Sequence, residues 1–564
     1  VLGLDGLDPD VVRALGPERL PQLFALAERG VFARLLSVLP AATLPNWTTF
    51  LTCFDPGVHG VFDFTTRVGD RVRFTGGTVR AEPTVFARLD AAGWRCACIG
   101  FPGTWPPERL RHGVFVSGWD SPVAFEADRS FVWPPELYEE LRARSGGLRF
   151  DDVDELAADT PGWHSALADA LVARIARKRE LASWLLGERD WDVFACYFGE
   201  SDTAAHYLWS QHDPGSPRRP HDVSPRDADG LARVYAALDE TVGALVARAG
   251  GDEVEVTIVS DHGAGGTSDR ALYLNRALAD AGLCVLREGG LGSALTRSLK
   301  ESALVHLPPR ARALAFRAAG SVLPGWLESR SRFAELDFRA TQAFSEELNY
   351  FPSVWLNVRG REPLGTIDAR DVPRARARVR EALLALRDPW DGTPVVRAVH
   401  AREDLYAGPL VDRAPDLVLE LALPGGYSYN VLPSASAPPR ALLGGTGAFR
   451  RLRPSEYLGR KGRSLPGSHR SHGVFFAAGP SVRPRVDCAP RMADATATLL
   501  ARLGVALPAG AAGRVLGEIL RDGAAGPSRE AVSLPVVSVE SPLRAGAGDE
   551  ARVEARLRAL GYLD

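Results

Sequence analysis

The chain has 564 residues, with 67 Lys and Arg against 70 Asp and Glu, for a formal charge of −3. That balance excludes a protein built mainly to hold nucleic acid, and 45% apolar with 24% charged residues is ordinary for a globular chain with a large core. Six cysteines in so long a chain are no disulfide scaffold, and no uninterrupted apolar run reaches transmembrane length. The sequence starts at Val1 inside an apolar run without a methionine, which leaves the compartment open between cytoplasm and periplasm.

In chain order, VLGLDGL reads as a short strand, and LPQLFALAERG as a helix with apolar residues at Leu20, Leu23, Leu26 and Ala27 and a C-cap at Gly30. Trp94 to Gly100 reads as a strand followed by the loop FPGTWPP, with Cys96 and Cys98 on one buried face. An amphipathic stretch from about His164 to Glu188 precedes the strand WDVFACYF. Tyr235 to Ala249 is helical and VEVTIVS is a strand ending in SDHG. Strands alternating with helices predict an α/β fold with a mostly parallel sheet covered on both faces. Strand signals lapse between 286 and 345, where Arg-rich amphipathic segments predict a helical insertion. They resume in YFPSVWLNV, APDLVLEL and GVFFAAGP, and ADATATLLARLGV is a late helix. After about 521 the composition turns to Gly, Ala, Pro and Ser, which predicts a linker before a last helix, EARVEARLRALGYLD. The expected division is a core over 1–285 and 346–520, the insertion 286–345, and a tail 521–564.

The chemistry-bearing residues cluster where apolar runs end, as parallel sheets gather sites at the carboxyl ends of their strands. Asp202 and His206 in ESDTAAH are four apart, so on a helix they share a face and can hold one ion, although such pairs also arise by chance. Asp261 and His262 end a strand, with Gly263, Gly265 and Gly266 expected to form the turn that lets both reach a site. Asp5 ends the first strand; its alternative duty, capping the next helix, is open to Asp8 instead. His469 lies in a Gly- and Ser-rich loop, with His472 a rival for the same role.

Thr43 sits in LPAATLPNWTTF at the head of a helix starting near Pro45. A hydroxyl there faces unpaired amides and a positive helix end, a place suited to a phosphoryl oxygen; an ordinary N-cap is the plainer use. Asn46 is placed to donate to a non-bridging oxygen. Taken together these residues describe a two-metal site able to clamp the attacking and leaving oxygens of an in-line displacement.

At these motifs the chain resembles the alkaline phosphatase superfamily, in its type I phosphodiesterase/nucleotide pyrophosphatase branch, from Val1 to about Leu520. The matching motifs are Asp5-Gly6, Thr43-Leu44-Pro45-Asn46, Gly57-Val58-His59-Gly60, Asp202 with His206, Ser260 to Gly263, and His469 before a strand. The segments GTWPP, GWDSP, NVRGREPLG and APDLVLEL resemble a bacterial subgroup. The resemblance implies an alkaline-phosphatase-like fold and two divalent metals, most readily zinc. Asp202, His206 and His469 would hold one, and Asp5, Thr43, Asp261 and His262 the other, with His59 structural. Ala205 stands where the family's Asp-x-x-Gly-His has glycine, and Arg470 follows His469 where glycine is usual.

The expected activity is cleavage of a phosphodiester or pyrophosphate bond through a phospho-enzyme at Thr43, in a small phosphate ester such as a nucleotide, a phospholipid head group or a glycan phosphate. No cation neighbours Thr43 in sequence, which favours a diester, although Arg359 and Arg361 could supply one from afar. A phosphomonoesterase or phosphonate hydrolase, a phosphotransferase, and a metal-binding scaffold are the alternatives. No Cys-x-Pro-x-Arg or Ser-x-Pro-x-Arg motif supports a sulfatase.

Overall fold

The computed structural model describes residues 1–68, 71–75, 77, 79–118, 129–145, 160–287, 333, 335–347, 351–437, 447–458 and 464–522. Most of the expected insertion at 286–345, and the expected linker and last helix after 522, lie outside the described residues. Within 286–345, Leu286 bridges to Leu336 and Ala343–Phe344 is a short strand.

An eight-stranded sheet forms the core, in the order Gly30–Leu36, His472–Ala478, Val256–Val259, Leu2–Leu4, Val193–Phe198, Cys96–Ile99, Val114–Val116 and Val132–Trp133. The five strands from Val256–Val259 to Val114–Val116 run parallel. His472–Ala478 is antiparallel to both its neighbours, and Val132–Trp133 to Val114–Val116. All four residues of Cys96–Ile99 are buried, as expected of a strand covered on both faces.

Two groups of helices pack in this core. Gly230–Ala249 packs against Trp163–Glu188, Glu200–His212 and Pro21–Arg29, and Thr43–Thr52 packs against Met492–Arg502. Gly3 lets the second group come close: a Cβ there would lie 2.8 Å from the Trp47 ring. Trp47 is fully buried among Phe50, Phe101 and Tyr197, with ring centroids at 5.8, 5.3 and 5.5 Å and edges to faces. Such pairs contribute about 0.5–1.5 kcal/mol each beyond their burial, so this helix is fixed tightly against the first strand.

A second, four-stranded antiparallel sheet orders Ala343–Phe344, Ser353–Leu356, Leu417–Leu421 and Val396–Ala401. It buries its own apolar cluster with the helices Leu274–Asp280 and Val372–Leu384. The strand Gly263–Leu272 leaves the main sheet and pairs with Ser428–Val431, Phe449–Arg451 and Gly467–Arg470.

Two local expectations differ. The glycines after His262 form no turn: Gly263–Leu272 is a ten-residue strand. They serve close approach instead, since a Cβ at Gly263 would lie 2.2 Å from the His472 carbonyl and one at Gly266 2.7 Å from the Trp209 ring. His469 stands on the strand Gly467–Arg470 rather than in a loop, because that segment finds the edge of Gly263–Gly266 and pairs with it.

Candidate active site

Two strand ends and the helix that follows a third strand converge at the carboxyl edge of the sheet. Asp5 follows Leu2–Leu4, Asp261 and His262 follow Val256–Val259, and Asp202 and His206 lie in the helix that begins just after Val193–Phe198. Asp8, as expected, caps the helix Pro9–Arg19 through its side chain, which frees Asp5 from that duty.

The side chains form two groups. In the first, Asp202 Oδ1 lies 3.2 Å from His206 Nε2 and 3.4 Å from His469 Nε2, and the two Nε2 atoms are 3.1 Å apart. In the second, His262 Nε2 lies 3.4 Å from Asp5 Oδ1 and 3.2 Å from Asp261 Oδ2. His469 joins the first group; His472 is exposed and outside both.

The histidine tautomers follow from their backbone partners. His206 Nδ1 is 3.0 Å from Gly467 O, His262 Nδ1 is 3.0 Å from Gly263 O, and His469 Nδ1 is 2.8 Å from Ala41 O. A carbonyl only accepts, so each Nδ1 carries the hydrogen and each Nε2 lone pair is turned toward the carboxylates. Two lone pairs 3.1 Å apart repel unless a cation lies between them. Asp5 Oδ1, Asp261 Oδ2 and His262 Nε2 are buried with no hydrogen-bond partner, at a cost of about 1–3 kcal/mol for each atom left so. Those three are the converging atoms of the second group. Nitrogen and oxygen donors at these spacings fit two divalent cations.

The electrostatics agree. Burial, then the Asp202 charge, pushes the Asp5 carboxyl up to about 7, against the pull of hydrogen bonds from Tyr197 and Trp47. Burial, then Asp5 and Asp202, raises Asp261 well above the usual carboxylate range. Burial, then His469, depresses His262 well below an ordinary imidazole. Burial also opposes ionisation of Asp202, but His206 and His469 outweigh it and hold that carboxyl low.

Thr43 opens the helix Thr43–Thr52, two residues earlier than the expected start. The carbonyl of Ala41, just before it, receives His469, and Trp47, one turn after it, donates to Asp5 Oδ2 at 2.9 Å. The half-buried threonine is therefore bracketed by residues bound to both groups. Its helix has no side-chain N-cap, which leaves first-turn amides for an anion.

Asn46 departs from expectation. It is fully buried, its amide nitrogen donates to the carbonyls of Val38, Pro40 and Ala42, and its oxygen accepts from Val38 N–H. The amide braces the loop before Thr43, with its nitrogen and oxygen both engaged by the loop's own backbone groups. His59 is structural: its Nδ1 accepts from Val61 N–H and its Nε2 bonds Thr49 Oγ1 at 3.0 Å, and burial depresses it to about 3. Arg361 is paired with Asp416 at 2.6 and 2.9 Å, and the exposed Arg359 with Asp368 at 2.8 Å.

One supporting residue carried no motif. Tyr197 OH donates to Asp5 Oδ2 at 2.6 Å beside the Trp47 bond, which fixes Asp5 with its other oxygen toward His262. The available signal was a phenol next to the end of an otherwise apolar strand, since a buried Tyr hydroxyl needs a partner.

The family model described as type I phosphodiesterase / nucleotide pyrophosphatase matches residues 1–431. The chain belongs to that family. It is accordingly a phosphoric ester hydrolase of a metal-dependent family. No curated protein matches. Among solved structures, phosphonoacetate hydrolase from Sinorhizobium meliloti 1021 in complex with phosphonoacetate is 16% identical, covering 88% of this chain and 93% of that one, with a TM-score of 0.49. Human ectonucleotide pyrophosphatase / phosphodiesterase 5 is 14% identical, covering 89% and 93%, with a TM-score of 0.43. The murine protein of that name is 12% identical, covering 92% and 100%, with a TM-score of 0.46.

Proposed function

We propose that this family member cleaves phosphodiester or pyrophosphate bonds by a double displacement through Thr43, at a centre of two zinc ions. The observation that carries the reading is the set of buried Nε2 and carboxylate atoms converging in two adjacent groups. Asp202, His206 and His469 would hold one ion, and Asp5, Asp261 and His262, with the Thr43 hydroxyl, the other. Three imidazole nitrogens among the donors favour zinc over manganese. When bound, the ions would lower the hydroxyl pKa and offset charge on the attacking and leaving oxygens.

Thr43 Oγ attacks phosphorus, a new O–P bond forms, and the opposite ester oxygen leaves as an alcohol with the threonine proton. The product of this step is Thr43 esterified to a phosphoryl group that keeps its other ester. Water then attacks the same phosphorus, its hydrogen returns to Thr43 Oγ, and the phosphomonoester departs. First-turn amides of the helix Thr43–Thr52 receive non-bridging oxygens in both steps.

Charge favours a diester. Asp5, Asp202 and Asp261 total −3, two divalent cations total +4, and no Arg or Lys among the described residues pairs with those aspartates. The resulting single positive charge matches a diester, with one negative charge, better than a monoester with two. The substrate is a small phosphate ester, whether nucleotide, phospholipid head group or glycan phosphate. Hydrolysis of bis-(4-nitrophenyl) phosphate and of 4-nitrophenyl phosphate, each with and without a chelator, tests this. Faster, chelator-sensitive diester turnover is expected. Preference for the monoester, or turnover indifferent to chelation, would overturn it.

A further inference from the structure

The segment that carries His469 is held from behind by a single guanidinium. Arg218 follows the ligand-bearing helix Glu200–His212 and is 1% exposed. Its Nη1 donates to Thr267 Oγ1 at 2.5 Å, Leu465 O at 2.9 Å and Asn430 Oδ1 at 3.2 Å. Its Nη2 donates to Ser464 O at 2.5 Å, Glu456 O at 3.4 Å and Tyr457 O. Thr267 grips the same segment, with its hydroxyl on Leu465 O at 2.7 Å and its N–H on Pro466 O at 2.8 Å.

The next residue touches the site. Gly467 O takes the Nδ1–H of His206, and a Cβ at Gly467 would lie 2.0 Å from Ala205 O in the ligand helix. From there the strand runs to His469 opposite Ala264. Arg218 and Thr267 thus fix carbonyls 464, 465 and 466, and carbonyl 467 sets the ring of His206. A guanidinium suits this because its donors are coplanar and fixed in direction, whereas an ammonium offers a point charge on a flexible stem.

We infer that Arg218 is a positioning residue for the metal group Asp202, His206 and His469, setting both imidazoles through the segment 464–467. This rests on the proposed reading that the two groups bind zinc. Groups that orient ligands without touching the ion typically change metal affinity 10- to 100-fold when removed.

The test is stepwise zinc titration of the full chain against a competing chromophoric chelator, for wild type, Arg218→Met, Arg218→Lys and Asp202→Asn. Asp202→Asn identifies the step belonging to its group. In Arg218→Met that same step should weaken about 10- to 100-fold, with the other step and the far-ultraviolet circular dichroism unchanged, and Arg218→Lys should not restore it. Two wild-type steps in Arg218→Met, or equal weakening of both, would overturn the inference. Should Arg218→Met fail to fold, Thr267→Val should weaken the same step to a smaller extent, and unchanged steps there would overturn it. Wild type that binds no zinc would remove the proposed reading itself, which separates the two failures.

Discussion

The imidazole rings of His262 and His469 stack, with centroids 3.6 Å apart and planes 17° from parallel, although each belongs to a different group of ligands. That contact sets the two groups side by side, as a reaction using both would need. Thr43, tied to His469 through Ala41 and to Asp5 through Trp47, opens the helix beside it.

Removing the hydroxyl should separate chemistry from metal binding. Thr43→Ala is expected to lower kcat by on the order of 10³-fold or more while zinc content, measured by plasma emission spectrometry, stays at the wild-type value. Full activity in that variant would end the covalent route.

Asp5 depends on the two donors to its outer oxygen. Tyr197→Phe removes one of them and should weaken zinc binding about 10-fold or more, measured by chelator competition, with the ring still packed against Trp47. Unchanged affinity would show that the indole alone suffices.

Much of this site was legible because its residues sit where sequence marks structure. Asp5 and Asp261 end apolar strands, and Asp202 and His206 carry helical spacing. What was not legible depends on side-chain direction or on partners remote in sequence. Asn46 has the right chemistry at the right place, yet its amide turns back onto Val38, Pro40 and Ala42. The glycines after His262 read locally as a turn, since nothing nearby in sequence reveals that Gly467–Arg470 pairs beside them. Tyr197 and Arg218 act on groups far along the chain, and no spacing rule connects them.

The unpaired atoms Asp5 Oδ1, Asp261 Oδ2 and His262 Nε2 make metal removal a stability experiment. Saturation with zinc at 100 times its dissociation constant should stabilise the fold by about 2.7 kcal/mol per site. Calorimetry should show a higher melting temperature with zinc than with a chelator, and a smaller gain in Asp261→Asn. Coincident melts with and without zinc would contradict the fit of these donors to a cation.

Glu347 gives a pH dependence away from the site. It is buried, its carboxylate receives N–H groups of Asn275 and Ser434 and the Ser434 hydroxyl, and burial pushes it up to about 7 against those bonds. The folded chain therefore binds this proton more tightly than the unfolded chain, whose value is the ordinary 4.5. Its contribution to stability is full below about 4.5 and is lost as pH rises toward 7, with a slope of at most about 1.4 kcal/mol per pH unit. Urea unfolding at pH 5 and pH 7.5 should show a smaller difference in Glu347→Gln than in wild type; an equal difference would exclude Glu347 as the source.

The central claim is a covalent relay at Thr43, and the stereochemistry at phosphorus tests it most directly. Hydrolysis in ¹⁸O-water of a phosphorothioate diester of known configuration should give a product of retained configuration, because two in-line displacements invert twice. Inverted product would mean that water attacks the substrate in a single step, and would contradict the account.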